Sequence, residues 1–466
     1  MFHFNIKELI FPRVHFLGIG GVSMSGIAEL LHDSGYTVTG SDRGLNTYIE
    51  HLMRKGIAVT IGQSANNIKD QDLFVYTDAI ADSNEELIAA RATGKPVVTR
   101  GQFLGALMRN YSKSIAVSGS HGKSTTTALI TKILMEADTD PTILLGGSFD
   151  EIEGNVHTGE GEFFLAEACE YKGNIRYYFP QIAVILNIDE DHLDYYKNLD
   201  DIVIAFQHYM QNLRPDSKSI INLDDENCRK LVNHIPGQAV SFAIHNETAD
   251  YRATDIHFDN VGRPSFTLHY PGGFSDQIHL AVIGRYNIYN VLAAVAAADQ
   301  TGIDRSGIKA SIEAYLPLHR RMEVVGEFHE ATVMTDYGHH PTEIKVTLEA
   351  LSEHKDHELI CVFQPHTYSR TYSLMDDFAE AFYDADEVVV TKIMGAREID
   401  TGLVRSEELI DRLLKNGVKA VYCETFDDAE AYLAGRVAPK DIILTTGCGN
   451  VDELAYQMVK SKNAVC

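Results

Sequence analysis

The stretch "AVSGSHGKSTTTALI", residues 116–130, sets a lysine, a hydroxyl and two glycines where phosphate chemistry needs them. The usual nucleoside-triphosphate loop reads G-x-x-x-x-G-K-[ST]: backbone N–H groups cradle the phosphates, the lysine reaches them, and the hydroxyl ligates Mg²⁺. Here Val117 stands at the first glycine position and the nearest glycine is Gly119, so the loop is two residues short. The apolar run "SIAV" before it and the threonines after Lys123 and Ser124 supply the strand-loop-helix context.

A divalent cation on a triphosphate needs more ligands than one hydroxyl. Two apolar runs downstream end in candidates: "FFLAEACEY" at Glu167, and "IAVILNIDEDHLDYY" in an acidic turn with His192. Parallel strands bring such carboxyl-terminal ends to one crevice.

A second glycine cluster, "GIGGVSMSG", carries Gly18, Gly20 and Gly21 between a strand and a helix, where backbone approaches a diphosphate closely. Asp42 follows at the distance of a ribose-binding acid, but Ser23 takes the third glycine position of G-x-G-x-x-G, so a plain strand-to-helix turn stays open. Further on, "TDYGHHPTEI" groups Asp336, His339 and His340, and "FQPHTYSRT" holds His366 and Arg370. The paired histidines lack H-E-x-x-H and a third spaced histidine, so a capped helix start with Pro341 in its first turn is the alternative to a metal site. In "GRYNIYN", Asn287 and Asn290 open an alanine-rich helix, as caps or as base readers.

The elements that must position these residues alternate between strand-like and helical runs, a pattern that restarts three times and reads as α/β. The first block runs from "VHFLGIGG" to near Asn110, and the second opens at "SIAVSGSHGKSTTT". The second block includes "RATDIHFDNVGRPSFTLHY", whose alternation suggests antiparallel strands, and "YLPLHRRMEVVGE" links it to the third. A chain of 466 residues with 45% hydrophobic content can bury several such cores. The formal charge of -26 opposes nucleic acid or an anionic membrane as a partner, so an anionic small substrate needs local basic groups. The six cysteines show no C-x-x-C spacing and read as reduced thiols of a cytoplasmic protein, and no run approaches the ~20 apolar residues of a membrane span.

In order, "GIGGVSMSGIAELL", "GSHGKSTTT", "EACEY", "NIDEDHLDYY", "GRYNIYN", "RRMEVVGE", "DYGHHPTEI" and "FQPHTYSRT" resemble the successive signatures of the Mur ligase family, the ATP-dependent amide-forming enzymes of peptidoglycan precursor synthesis. The shortened G-x-x-G-K-[ST] loop resembles that family's ATP loop. The first glycine motif, the double histidine and "FQPHTYSRT" look like the branch that adds L-alanine to UDP-N-acetylmuramate.

The resemblance implies three domains: a Rossmann-like N-terminal domain for the UDP-sugar over residues 1–110, a central P-loop ATPase-type parallel-sheet domain over 111–320, and a Rossmann-like C-terminal domain for the amino acid over 321–466. It implies ATP and Mg²⁺ as cofactors, UDP-N-acetylmuramate and L-alanine as substrates, and a monomer or homodimer. Gly119, Ser120, His121, Gly122, Lys123, Ser124 and Thr125 would hold ATP, with Asn287 and Asn290 at adenine and Asp336 at the ribose. Ser124 and Glu167 would bind one Mg²⁺ and His192 a second, while Arg321 would steady the transferring phosphoryl group. His339, His366 and Arg370 would border the acyl phosphate and alanine, and Gly18, Gly20, Gly21 and Asp42 the UDP moiety. The third domain would close over the second.

Two readings compete with this one. A tripeptide-adding recycling ligase of the same family should lack "FQPHTYSRT". A nicotinamide-dependent oxidoreductase built on "GIGGVS", or a nucleotide-binding regulator without turnover, belongs to another class and leaves parts of this set unexplained.

Overall fold

The structure, a computed structural model, describes residues 2–193, 195–259, 262–352, 357–396 and 398–463. Cys466 lies outside them. Three sheets follow one another along the chain. The first is fully parallel, with strands in the spatial order Ala58–Ile61, Thr37–Asp42, Arg13–Leu17, Leu73–Tyr76, Val97–Thr99. Its central strand reads RVHFL and is buried along nearly its whole length, as a parallel strand covered on both faces must be.

The central sheet has ten strands and is mixed rather than purely parallel. Lys113–Ser118 sits at its middle, between Ile182–Ile185 and Phe163–Glu167, all parallel. The alternating segment forms the antiparallel strands Tyr251–Phe258 and Pro264–His269, joined by Ser275–His279. In the third sheet, Glu323–Phe328 pairs antiparallel with Ala331–Asp336, and the remaining strands are parallel.

The first two domains share one apolar core. Phe103, Leu107 and Met108 of the helix Arg100–Met108 belong to the same buried cluster as Phe164, Tyr178 and Phe206 of the central domain. Contact is close enough to demand glycines on that helix: a Cβ at Gly105 would lie 1.8 Å from the Tyr177 carbonyl oxygen, and one at Gly101 2.1 Å from Asn174 Oδ1. The third domain has its own cores, which among the described residues Leu193 and Ile283 of the central domain join. Polar side chains also cross to it, among them His121 to Glu343. Among the described residues no helix is long and apolar enough to cross a membrane.

A candidate active site between two uncapped helix starts

Most helices here begin with a side-chain cap, from residues such as Asn46, Asn84, Thr99, Asn198 and Asp304. Two that begin on glycine do not. Val22–Asp33 follows Gly21, and Lys123–Glu136 follows Gly122, each with no side-chain hydrogen bond at its start. Uncapped N-termini present free N–H groups and the positive end of the helix dipole, which together suit phosphate. Both open into the same cleft of about 690 Å³, lined also by Gly146, Glu167, Cys169, His192, Arg320, Arg321 and His339.

The short loop is held by its neighbours. Register places Val117 beside Glu167 and Ser118 beside Ile185, so the three central strands end level with the loop. Asn187 clamps His121 by both amide atoms, accepting from its N–H at 2.8 Å and donating to its carbonyl at 3.0 Å. The Ser120 hydroxyl accepts from Asp189 N at 2.8 Å. Gly122 has φ 85°, and a Cβ there would meet Asn290 Oδ1 at 2.4 Å. No other residue type fits that position.

Lys123 folds back over its own loop, donating to the Gly119 and Ser120 carbonyls, and pairs with the buried Glu170 at 3.4 Å. Burial opposes the Lys123 charge, but Glu170 and its acidic neighbours outweigh that and raise its pKa. Glu170 also meets His192 Nε2 at 3.5 Å. Burial again opposes the charge, yet contacts with Cys169 and Glu170 lift His192 to about 10. Sequence reading passed over both Glu170 and Asn187, although each lies within a quoted strand-end motif.

Ser124, Glu167 and His192 line this cleft together with Lys123. Glu167 is fixed at the strand end by Gly146 N–H, 2.7 Å from Oε1. The Ser124 hydroxyl and the Glu167 carboxylate are oxygen donors suited to a nucleotide-bound Mg²⁺, whereas His192, protonated against Glu170, must first lose a proton to act as a ligand.

A second cavity, of about 820 Å³, adjoins the first across Gly122, Arg321 and Glu343, which line both. Its walls include His121, Thr125, Asn287, Asn290 and Asp336, and its size suits a nucleoside. The asparagine donors are already engaged: Asn290 Nδ2 donates to Asn287 Oδ1 at 2.9 Å, and Asn287 Nδ2 to the Ile283 carbonyl at 2.8 Å. Asp336 accepts from Met322 N at 2.9 Å and Gly338 N at 2.8 Å, and burial raises its pKa.

The third domain docks on the loop through side chains. His121 lies between Asp189 Oδ2 and Glu343 Oε1, each at 3.2 Å, and Thr342 donates to Asp189 at 2.7 Å. Arg370 meets Asp191 at 3.3 Å. Against the penalty of burial, His192 and Arg370 hold the Asp191 carboxyl well below its usual range. Arg370, Asp191, His192, Thr367 and Ser369 line a small pocket of about 80 Å³. His339 donates Nδ1–H to the Tyr337 carbonyl at 3.1 Å, and burial lowers its pKa to about 4.

Asp42 and His366, two expected residues, stand outside the lining of both large cavities. Asp42 accepts from Gly20 N at 2.8 Å through Oδ2 and from Arg43 N at 2.7 Å through Oδ1, so its carboxylate shapes the glycine loop. Gly18, at φ 78°, and Ile19 both donate to the Ser41 carbonyl, which completes that turn. His366 makes a backbone bridge with Met394 and stands outside the lining of both large cavities.

Comparison with known proteins matches all three domains. Residues 13–112 match the Mur ligase family, catalytic domain; residues 117–298 the Mur ligase middle domain; and residues 320–449 the Mur ligase, glutamate ligase domain. The chain is similar to the UDP-N-acetylmuramate--L-alanine ligase of Caldanaerobacter subterraneus subsp. tengcongensis, 42% identical over 97% of this chain and 98% of the relative. It is also similar to the ligase of the same name from Clostridium acetobutylicum, 43% identical over 98% of this chain and 100% of the relative. The crystal structure of the UDP-N-acetylmuramate-alanine ligase of Thermotoga maritima superposes with a TM-score of 0.82 at 27% identity, covering 97% of this chain and 100% of that one. With all three domain models matched in order and relatives more than 40% identical over nearly the whole chain, the chain belongs to the Mur ligase family.

Proposed function

We propose that this protein is an ATP-dependent ligase that joins L-alanine to UDP-N-acetylmuramate in the cytoplasm, releasing ADP and phosphate, as a monomer or homodimer. The observation that carries the reading is the pair of uncapped helix starts opening into one cleft beside a nucleoside-sized cavity. One start receives the UDP diphosphate and the other the phosphates of ATP. The names of relatives more than 40% identical over nearly the whole chain supply the substrate pair. The domain limits proposed are 1–110, 111–320 and 321–466, which fall in the gaps between the three sheets.

A free carboxylate is a poor acylating agent at neutral pH, so the reaction first gives it a leaving group. The muramoyl carboxylate attacks the γ-phosphate, ADP departs, and the alanine amine then displaces phosphate from the acyl phosphate. Such transfer depends on positioning and charge neutralisation. Gly119 to Thr125 hold the phosphates, Lys123 leaves Glu170 to meet them, and Arg321 reaches them from the shared wall. Ser124 and Glu167 would hold one Mg²⁺ and His192, once deprotonated, a second, and the ions would neutralise phosphate charge. Asn287, Asn290 and Asp336 border the nucleoside. Gly18, Gly20 and Gly21 border the UDP diphosphate, with Asp42 fixing their loop.

Arg370 pairs with the alanine carboxylate, exchanging Asp191 for it, and His366 supports that segment. His339 stays neutral at pH 7, and its Nδ1–H bond leaves the lone pair on Nε2, ready for the proton that the amine sheds.

The test is phosphate release from ATP with UDP-N-acetylmuramate and Mg²⁺, with L-alanine, L-serine, glycine or the tripeptide supplied in parallel. Release that requires the UDP-sugar and is strongest with L-alanine is expected. A preference for the tripeptide would overturn the substrate assignment, and no release with any acceptor would overturn the ligase reading.

A further inference from the structure

We propose that His121, Asp189 and His340 form a transition-metal site, suited to Zn²⁺, at the seam between the ATP loop and the third domain and separate from the Ser124, Glu167 and His192 group. One donor atom of each of the three residues lies within 4.8 Å of those of the other two. The rings of His121 and His340 lie side by side, with centroids 5.1 Å apart and planes tilted by 43°.

Both histidines have the outer partners that metal-bound imidazoles need. His340 Nε2 donates to the Glu190 carbonyl at 2.9 Å, which leaves the lone pair on Nδ1. That lone pair has only a long contact, 3.3 Å, from Thr342 N–H. His121 turns Nε2 to Asp189 and Nδ1 to Glu343, so a carboxylate backs the ring on the side away from the site. A backbone carbonyl behind one histidine and a carboxylate behind the other is the arrangement that fixes tautomer and orientation in metal centres.

Charge favours exchange of a proton for a metal. The His121 proton now sits between two carboxylates, Asp189 and Glu343. A divalent cation on neutral His121 places one more positive charge there and releases one proton to solvent. Two nitrogens and one oxygen select Zn²⁺, Co²⁺ or Ni²⁺ over Mg²⁺. Since His121 belongs to the ATP loop and His340 to the third domain, the bound metal staples the two together and slows turnover. His121 and Asp189 also line the nucleoside cavity, so metal and nucleotide compete for them.

The experiment titrates the full chain with Co²⁺ in excess Mg²⁺, reading the visible d–d bands and, in two buffers, the proton released. Expected are one equivalent bound, a four-coordinate spectrum and one proton released. H340A and D189N should abolish binding, E343Q should weaken it about 10- to 100-fold, and H192A should retain it. Far-UV circular dichroism on each variant separates loss of the site from loss of the fold; E343Q and D189N preserve side-chain shape for that purpose. Binding that survives H340A and D189N in folded protein, binding lost in H192A alone, or no saturable binding at all would each overturn the proposal. None of these outcomes depends on the substrate assignment, because no substrate is present.

Discussion

The Lys123 ammonium lies 3.4 Å from both carboxylate oxygens of Glu170, a side chain almost fully buried behind the ATP loop. The pair explains how an ammonium can rest inside the protein, since an opposite charge offsets its burial. Removing one partner strands a buried charge, which costs far more than an exposed pair would return. Glu170→Ala is expected to lower stability by about 3 kcal/mol, read as a lower urea midpoint, whereas Glu170→Gln, which keeps the shape, should lose less. Equal and negligible losses in both would show that the pair is not maintained in solution.

Lys123→Ala should reduce phosphate release roughly 10²- to 10³-fold, the scale for removing one preorganised charge-stabilising group. Binding of UDP-N-acetylmuramate should be nearly unchanged, because its seat is the other helix start. Isothermal titration with the UDP-sugar checks this, and joint loss of binding and turnover would mean the two seats are misassigned.

Gly105 carries the weld between the first two domains. A methyl group there would lie 1.8 Å from the Tyr177 carbonyl oxygen, so Gly105→Ala must push the helix off the central domain despite the better helix propensity of alanine. A destabilisation of about 1–3 kcal/mol is expected. An unchanged or raised denaturation midpoint would show that the two domains separate easily.

Docking of the third domain should depend on pH through His121. Burial alone would lower its pKa, but Asp189 and Glu343 outweigh burial and raise it from 6.5 to about 9. The Asp189 pair lies within the central domain and survives undocking, so only the Glu343 share of this shift bears on docking, and it is lost as pH rises through about 9. Small-angle scattering should therefore report a larger radius at pH 9.5 than at pH 7, and His121→Gln should remove the difference. No expansion in the parent protein would count against the His121 contacts as the latch.

Much of the site was legible because its signals are local. The loop from Gly119 to Ser124 announces itself by spacing, and strand-helix alternation gives three α/β units without reference to any contact. What escaped depends on partners remote in sequence. Glu170 looks like any polar residue beyond a strand until Lys123 and His192 are seen on either side of it. Asn187 acts through the loop's backbone, which leaves no mark on residue type. Asp42 shows the same dependence: its spacing from Gly18 is legible in the sequence, but its hydrogen bond from Gly20 N–H appears only in the fold.

Gly122, Arg321 and Glu343 form a wall with the nucleoside chamber on one side and the sugar-phosphate cleft on the other. So thin a partition makes the two chambers addressable by one molecule. A bisubstrate inhibitor, with adenosine tethered to a UDP-sugar across that seam, gathers contacts in both chambers while losing its translational freedom only once. Tether length is then the variable to optimise.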